Sequence, residues 1–512
     1  VSEAAIILDP TVAGFGAEEG AEGLGATHFI GIGGAGMSVL AEMLHQRQVP
    51  VDGSDREPSA KTERLIALGI PVQFGQQAAN VNGQDVVVYS SAIKSDNPEI
   101  VAAAAQGARI VHRSDILDLL MRGKRAVTVA GAHGKTTTSS MLAHILTQGG
   151  TGSLADPSYA IGASIQGPDG STVDGGHAGT SAVLVAEADE SDGSFLKYHP
   201  SIAIITNAEP DHLDHYGSAE AYHQAFVEHA GHARDHVIVC VDDPGALEVL
   251  RHLPADVATR AIAYGTADPD ALGDLHGARF VQIVAEHEQE GTGTEAFTLR
   301  IPAALAGGDA PLDLPVDLAV PGLHNARNAT AAVLAAICLG MDPHQAAGAV
   351  SGFLGASRRF QIRGTVNDVT VVDDYAHHPT EIAALLDAAR RRYPRARLHV
   401  LFQPHLFSRT KFFADQFAQA LSMADDVIVT GIFPARERQE DYPDITAATI
   451  VEAAAPAAGA AMHAVDDMAV AAQMIALRAE PGDVVLTVGA GDITRMGSVI
   501  LHVLEAHFAD RD

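Results

Sequence analysis

Residues 125–138 read RAVTVAGAHGKTTT, and this stretch narrows the choice of fold more than any other. Residues 126–130 are of strand type, Gly131-Ala132-His133-Gly134 is a glycine turn, and Lys135 and Thr136 open an apolar segment of helical period, residues 137–146. Strand, glycine loop, Lys-Thr and helix together make a phosphate cradle. Backbone N–H groups and the helix N-terminus face the anion, the lysine adds a point charge, and the hydroxyl can hold Mg2+. The position five before Gly134 is Val129, so the loop is shorter than the usual P-loop pattern. A tight strand-to-helix turn without a ligand is the alternative; Gly-Lys-Thr in this setting favours a nucleotide site.

At 512 residues the chain exceeds one hydrophobic core, and about two to four domains are expected. Apolar residues make up 47% and charged residues 19%, the balance of a globular protein. No apolar run approaches the roughly 18 residues of a membrane span, and the N-terminus lacks a signal-peptide pattern. Cys240 and Cys338 both lie in apolar surroundings, which suggests core packing and a reducing, cytoplasmic setting. A net charge of −31 disfavours a nucleic-acid surface, so the few basic residues beside glycine loops become the informative ones.

Residues 1–26 are acidic and rich in Gly and Ala, and read as a mobile leader. A strand at residues 27–30 then enters GIGGAG, residues 31–36, and a helical pattern and a second strand ending in Gly53-Ser54-Asp55 follow. That is a Rossmann-like unit with an acid near the ribose-binding spacing, although G-x-G-x-x-G alone is weak evidence and most often suggests NAD. Residues 86–89 form another buried-type strand, ending in Ser90-Ser91. Beyond the cradle, residues 149–180 read as loop with short strands. The strand at residues 181–186 runs into Glu187-Ala188-Asp189-Glu190-Ser191-Asp192, whose four carboxylates would repel one another unless a cation were present. A further strand, residues 202–206, ends in Asn207 and a group that includes Asp211, His212 and Asp214. Strands of one parallel sheet present such ends along one edge. Residues 265–320 read as a small antiparallel element with variable loops. Pro321-Gly322-Leu323-His324-Asn325 leads into an Ala/Leu-rich helix, and its polar cluster could contact a base or simply cap the helix. From Gly355 onward strands and helices alternate again, with polar clusters at 373–381, 403–411 and 489–492.

These motifs together resemble the Mur ligase family, in its L-alanine-adding branch. The resemblance rests on GIGGAGMS (31–38), GSD (53–55), SSAIKSDNP (90–98), AGAHGKTTT (130–138), EADESDGSF (187–195) and TNAEPDHLDHYG (206–217). It continues in GLHNARNA (322–329), RRFQ (358–361), DDYAHHPTEI (373–382) and FQPHLFSRT (402–410). It implies an α/β protein of three domains: a Rossmann-like N-terminal domain for the UDP-substrate (27–123), a P-loop-type central ATPase domain with a mostly parallel sheet (124–355), and a Rossmann-like C-terminal domain that closes over the amino acid (356–512). It implies attack of the lactyl carboxylate of UDP-N-acetylmuramate on ATP, an acyl phosphate, and capture by L-alanine.

The resemblance also implies site roles. Lys135, Glu187 and His212 are catalytic, and Thr136, Glu187 and His212 hold Mg2+. ATP falls to Gly131, Ala132, His133, Gly134, Lys135, Thr136, Thr137, His324, Asn325, Arg358 and Asp374. The UDP-substrate falls to Gly33, Gly34, Ala35, Gly36, Ser54, Asp55, Ser90 and Ser91, and the amino acid to Tyr375, His377 and Arg409. Leu406 stands where many members carry Arg, and residues 198–240 contain no Lys, so a carbamoylated lysine near the metal is not supported. The other readings are a recycling ligase for a tripeptide, an NAD-dependent oxidoreductase and a nucleotide sensor. Monomer and dimer are equally compatible with the pattern.

Overall fold

The computed structural model describes residues 6–166, 172–288, 294–435, 437–454 and 461–509. The chain forms two compact units, one of Val1–Ala285, Phe297–Asp317 and Arg327–Phe353, the other of Glu286–Ala296, Leu318–Ala326 and Leu354–Asp512.

The first unit holds two large sheets. One is five-stranded and wholly parallel, in the order Val72–Phe74, Val51–Asp55, Thr27–Ile30, Val86–Tyr89, Arg109–His112. Its strand order reverses beside Thr27–Ile30, the switch point at which doubly wound sheets bind ligands. Thr27–Ile30 and Val86–Tyr89 are buried along their whole length, because helices cover both faces and alternation is lost.

The other sheet has ten strands. Arg125–Ala130 lies inside it, flanked in parallel by Val183–Glu187 and Ile202–Ile205. The parallel run continues through His236–Cys240 and Ala261–Gly265 to Arg279–Glu288. Residues 265–320, expected as a small antiparallel element with variable loops, extend this sheet: Arg279–Glu288, Glu295–Ile301 and Leu312–Leu318 are its last three strands. Glu295–Ile301 and Leu312–Leu318 alternate buried and exposed residues, as strands with one solvated face do. The part of that expectation on residues 289–293 lies outside the described residues.

One apolar core runs through this unit, from Phe29, Met43 and Leu120 to Phe195 and Phe226. It also takes in Phe15 and Ala21, from the stretch read as a mobile leader. The described part of that stretch is tied down. The Arg109 guanidinium sits 5.1 Å from the Phe15 ring centre, and Arg122 donates to the carbonyls of Gly16 and Glu19 at 2.5 and 2.8 Å. Ile6 and Leu8 pack on the cluster of Ile30, Val87 and Tyr89. Burying a phenylalanine contributes about 1.5–3 kcal/mol, an anchor that acidic, glycine-rich composition does not advertise.

The second unit carries a six-stranded sheet in the order Gln361–Val366, Val369–Asp374, Val484–Val488, Leu398–Phe402, Asp426–Val429, Ala461–Ala464. Only the first pair is antiparallel. Both cysteines lie in the first unit and are free, Cys240 buried in the core and Cys338 half-buried, and burial pushes both thiols up to about 12. Among the described residues no helix is long and apolar enough to cross a membrane.

Candidate active site

Gly131 leaves the strand at φ +149° and Gly134 enters the helix Lys135–Gly149 at φ +82°, conformations that favour glycine. A Cβ on Gly131 would run into the Thr206 hydroxyl, and one on Gly134 would stand 2.8 Å from Asn328 Oδ1. The loop is fastened from the neighbouring strand. Thr206 Oγ1 donates to the carbonyl of His133 at 2.7 Å, and Asn207 Nδ2 donates to the same carbonyl at 2.8 Å. His133 Nε2 lies 3.2 Å from Glu209. Gly134 supplies no side-chain cap, so the first-turn amides of Lys135, Thr136 and Thr137 remain for an anion.

Lys135 Nζ donates to Gly131 O at 2.5 Å and to Glu190 Oε2 at 2.7 Å. Burial disfavours charge on both partners. On Lys135 the carboxylates of Glu190 and Asp189 outweigh it and hold the ammonium above its usual range; on Glu190 burial prevails and pushes the carboxyl up. The proton belongs to the lysine, because Nζ donates to a carbonyl and a carboxylate at once.

The acidic run, expected to gather round a cation, is also paired with protein groups. Each carboxylate has its own protein partner. Glu187 accepts from the Gly162 amide at 3.0 Å, Asp189 meets Arg113 Nη2 at 2.5 Å, and Glu190 meets Lys135. Asp192 accepts from the Ser194 amide at 3.0 Å and from the Ser91 hydroxyl. Burial would raise Asp189, but Arg113 and then Lys135 outweigh it and hold its carboxyl well below the usual range.

His212 stands at φ +51°, a conformation uncommon outside glycine, with Nε2 3.7 Å from both Glu190 Oε1 and Asp211 Oδ2. Among the described residues no three His, Cys, Asp or Glu side chains stand together as a metal site. Mg2+ is commonly held by one or two carboxylates plus substrate phosphates, and the oxygens of Thr136 and Glu187 suit it, with the His212 nitrogen the softer donor. Glu190 Oε1, buried without a hydrogen-bond partner, is a further oxygen here that a cation would satisfy. The side chain of Asp214 lies outside what the structure describes.

In the first sheet, the amides of Gly31 and Ile32 donate to Ser54 O at 2.8 and 2.9 Å, and Gly33 N donates to Asp55 Oδ2 at 2.8 Å. Gly34 precedes the helix Ala35–Gln46 without a side-chain cap. Ser54 departs from its expected role: fully buried, its hydroxyl donates to Glu99 at 2.7 Å, so it shapes the loop through its carbonyl. Asp55 likewise binds the loop amide, which leaves the ribose reading of the oxidoreductase alternative without a free carboxylate oxygen at Oδ2. Ser90 is half-buried and Ser91 exposed. Arg113 was missed: its Nη1 stands 2.7 Å from where a Gly36 Cβ would be, a cation beside a glycine loop.

In the second unit, Asn325 Nδ2 donates to Pro321 O at 2.6 Å, and the His324 ring fills the space beside Gly322. Arg358 donates to Gly489 O at 2.5 Å and lies 4.8 Å from the Tyr375 ring centre. Asp374 accepts from the amides of Phe360 and Ala376 at 2.7 and 2.8 Å, and burial pushes its carboxyl to about 6. The rings of His377 and His405 meet at 5.8 Å, and Arg409 Nη1 lies 3.3 Å from His405 Nδ1. His405 thus links two expected amino-acid contacts. Leu406 is buried at φ +70°.

A cradle on one mostly parallel sheet, a second glycine loop on a parallel one and a third, six-stranded α/β sheet define a class. Residues 26–125 match the model of the Mur ligase family catalytic domain, residues 129–336 the Mur ligase middle domain, and residues 358–491 the Mur ligase glutamate ligase domain. The chain belongs to the Mur ligase family. It is 68% identical, over 98% of its length and 97% of the relative's, to the UDP-N-acetylmuramate–L-alanine ligase of Bifidobacterium adolescentis. The UDP-N-acetylmuramate-alanine ligase of Thermotoga maritima has a similar structure, with a TM-score of 0.73 and 28% identity over 94% of this chain and 99% of that one. A murein peptide ligase of Psychrobacter arcticus shares the fold, with a TM-score of 0.68 and 24% identity over 94% of this chain and 98% of that one.

Proposed function

We propose that this chain is the ATP-dependent ligase that joins L-alanine to the lactyl carboxylate of UDP-N-acetylmuramate in peptidoglycan synthesis, in the cytoplasm. The observation that carries the reading is the uncapped Gly131–Gly134 turn holding Lys135, in a chain similar over 98% of its length to a ligase of that name. A carboxylate is a poor acyl donor because oxide is a poor leaving group, and phosphorylation replaces it with phosphate. Both reactants of that step are anions, so positioning and charge neutralisation carry catalysis. The first-turn amides and Lys135 receive the ATP phosphates, with the ammonium on the transferring group. Thr136, Glu187 and His212 would hold Mg2+, which when bound screens the repulsion between carboxylate and γ-phosphate.

The residue 33–36 loop, with Asp55, Ser90, Ser91 and Arg113, receives the UDP diphosphate and sugar. His324 and Asn325 take the adenine, with Arg358 and Asp374 shaping the nucleotide side of the second unit. Tyr375, His377 and Arg409 take L-alanine, whose amine attacks the acyl phosphate; the tetrahedral adduct then expels phosphate. The test is isotopic. With both lactyl carboxylate oxygens labelled with 18O, one label per turnover should appear in inorganic phosphate. Phosphate free of label would contradict an acyl phosphate.

A further inference from the structure

Lys135 has three N–H donors, and all face protein acceptors: Gly131 O at 2.5 Å, Glu190 Oε2 at 2.7 Å and, more distantly, Ala132 O at 3.4 Å. None is left for a phosphate. Of the three acceptors only Glu190 is an anion, and only its position is independent of the loop. Its backbone is pinned, since the carbonyl accepts from the Tyr216 hydroxyl at 2.5 Å and from the Gly193 amide at 3.1 Å. Its side chain is not. The carboxylate is 1% exposed, and Oε1 has no hydrogen-bond partner, with His212 Nε2 3.7 Å away. A purely structural buried carboxylate normally has both oxygens satisfied; this one is half satisfied.

We infer that Glu190 is a positioning residue that parks Lys135 when no nucleotide is bound, and that the γ-phosphate of ATP takes the ammonium from it. The inference rests on the reading that ATP binds at Lys135. Two anions cannot share one ammonium in a buried site at full strength, so binding energy is used to displace the carboxylate. Removing its charge therefore favours the nucleotide-bound state.

ATP titration calorimetry in EDTA, on the full chain, separates the possibilities. Glu190→Gln keeps an acceptor for Nζ without the charge, and should bind ATP roughly tenfold more tightly than the wild type, a coupling of ordinary size. Its unliganded melting temperature should fall, and its ATP-induced rise in melting temperature should exceed that of the wild type. A merely structural Glu190 would lower the melting temperature and leave ATP affinity unchanged, which overturns the inference. If Lys135→Ala bound ATP as well as the wild type, or the wild type did not bind it, the nucleotide reading itself would fail first. Should Glu190→Gln not fold, the wild type still decides: the Lys135 ammonium resonance, assigned by its loss in Lys135→Ala, should shift on ATP binding. An unshifted resonance with ATP bound contradicts the exchange of partners.

Discussion

Lys135 and its neighbours show how unevenly single residues can be read. The cradle was legible because glycine, lysine and threonine sit consecutively, and Gly131 and Gly134 do adopt positive φ. The pairing of Lys135 with Glu190 was not, since the two are 55 positions apart and one of four similar carboxylates had to be chosen. The inward turn of Ser54 was hidden for a related reason: a hydroxyl at a strand end can face a ligand or the interior, and this one donates to Glu99. Lys135→Ala should lower phosphate release by on the order of 10²–10³, the usual cost of a well-placed electrostatic group. Calorimetry should show UDP-N-acetylmuramate binding nearly unchanged, because its expected contacts lie on the first sheet. Equal loss of both would mean that the substitution had damaged the fold.

At the scale of elements, the apolar runs of the parallel strands were plain, and Val86–Tyr89 has the ends expected of it. Less visible were Glu295–Ile301 and Leu312–Leu318, read only as part of a small antiparallel element and in fact the last two strands of the ten-stranded sheet. Each unit also braces its strands with a buried histidine between carboxylates. His28 meets Asp52 at 2.7 Å and Glu99 at 3.6 Å; His399 meets Asp426 at 3.1 Å and Asp483 at 3.0 Å. Burial would lower both imidazoles, but the carboxylates outweigh it and hold them above the ordinary 6.5. Their contribution is therefore fully present below the unfolded value and lost as pH rises through the raised folded values. Glu99 and Asp426 are depressed: burial opposes this, and the histidines with their other partners prevail. Their share is lost as pH falls through the depressed values. The share of these two clusters in the urea midpoint should be fully present between about pH 5 and pH 6.5 and decline on either side. Replacing both histidines by glutamine should flatten the alkaline decline; an unchanged slope would mean that other groups cause it.

For the whole molecule, the order of the three α/β blocks was readable because each begins with an apolar strand and a polar strand end. What escaped was the placing of residues 6–26, where Phe15 and Ala21 join the core and Ile6 and Leu8 pack on a second apolar cluster. Full-length similarity to an L-alanine ligase at 68% identity, against fold-level likeness to a murein peptide ligase at 24%, favours the amino acid over the tripeptide. The central claim is that Lys135 presents a γ-phosphate to the carboxylate of one substrate for capture by another. Phosphate release from ATP by the purified chain tests it most directly, with each substrate omitted in turn. Steady release should require UDP-N-acetylmuramate and L-alanine together. Release that ignores L-alanine, or that proceeds only with a tripeptide in its place, would contradict the account.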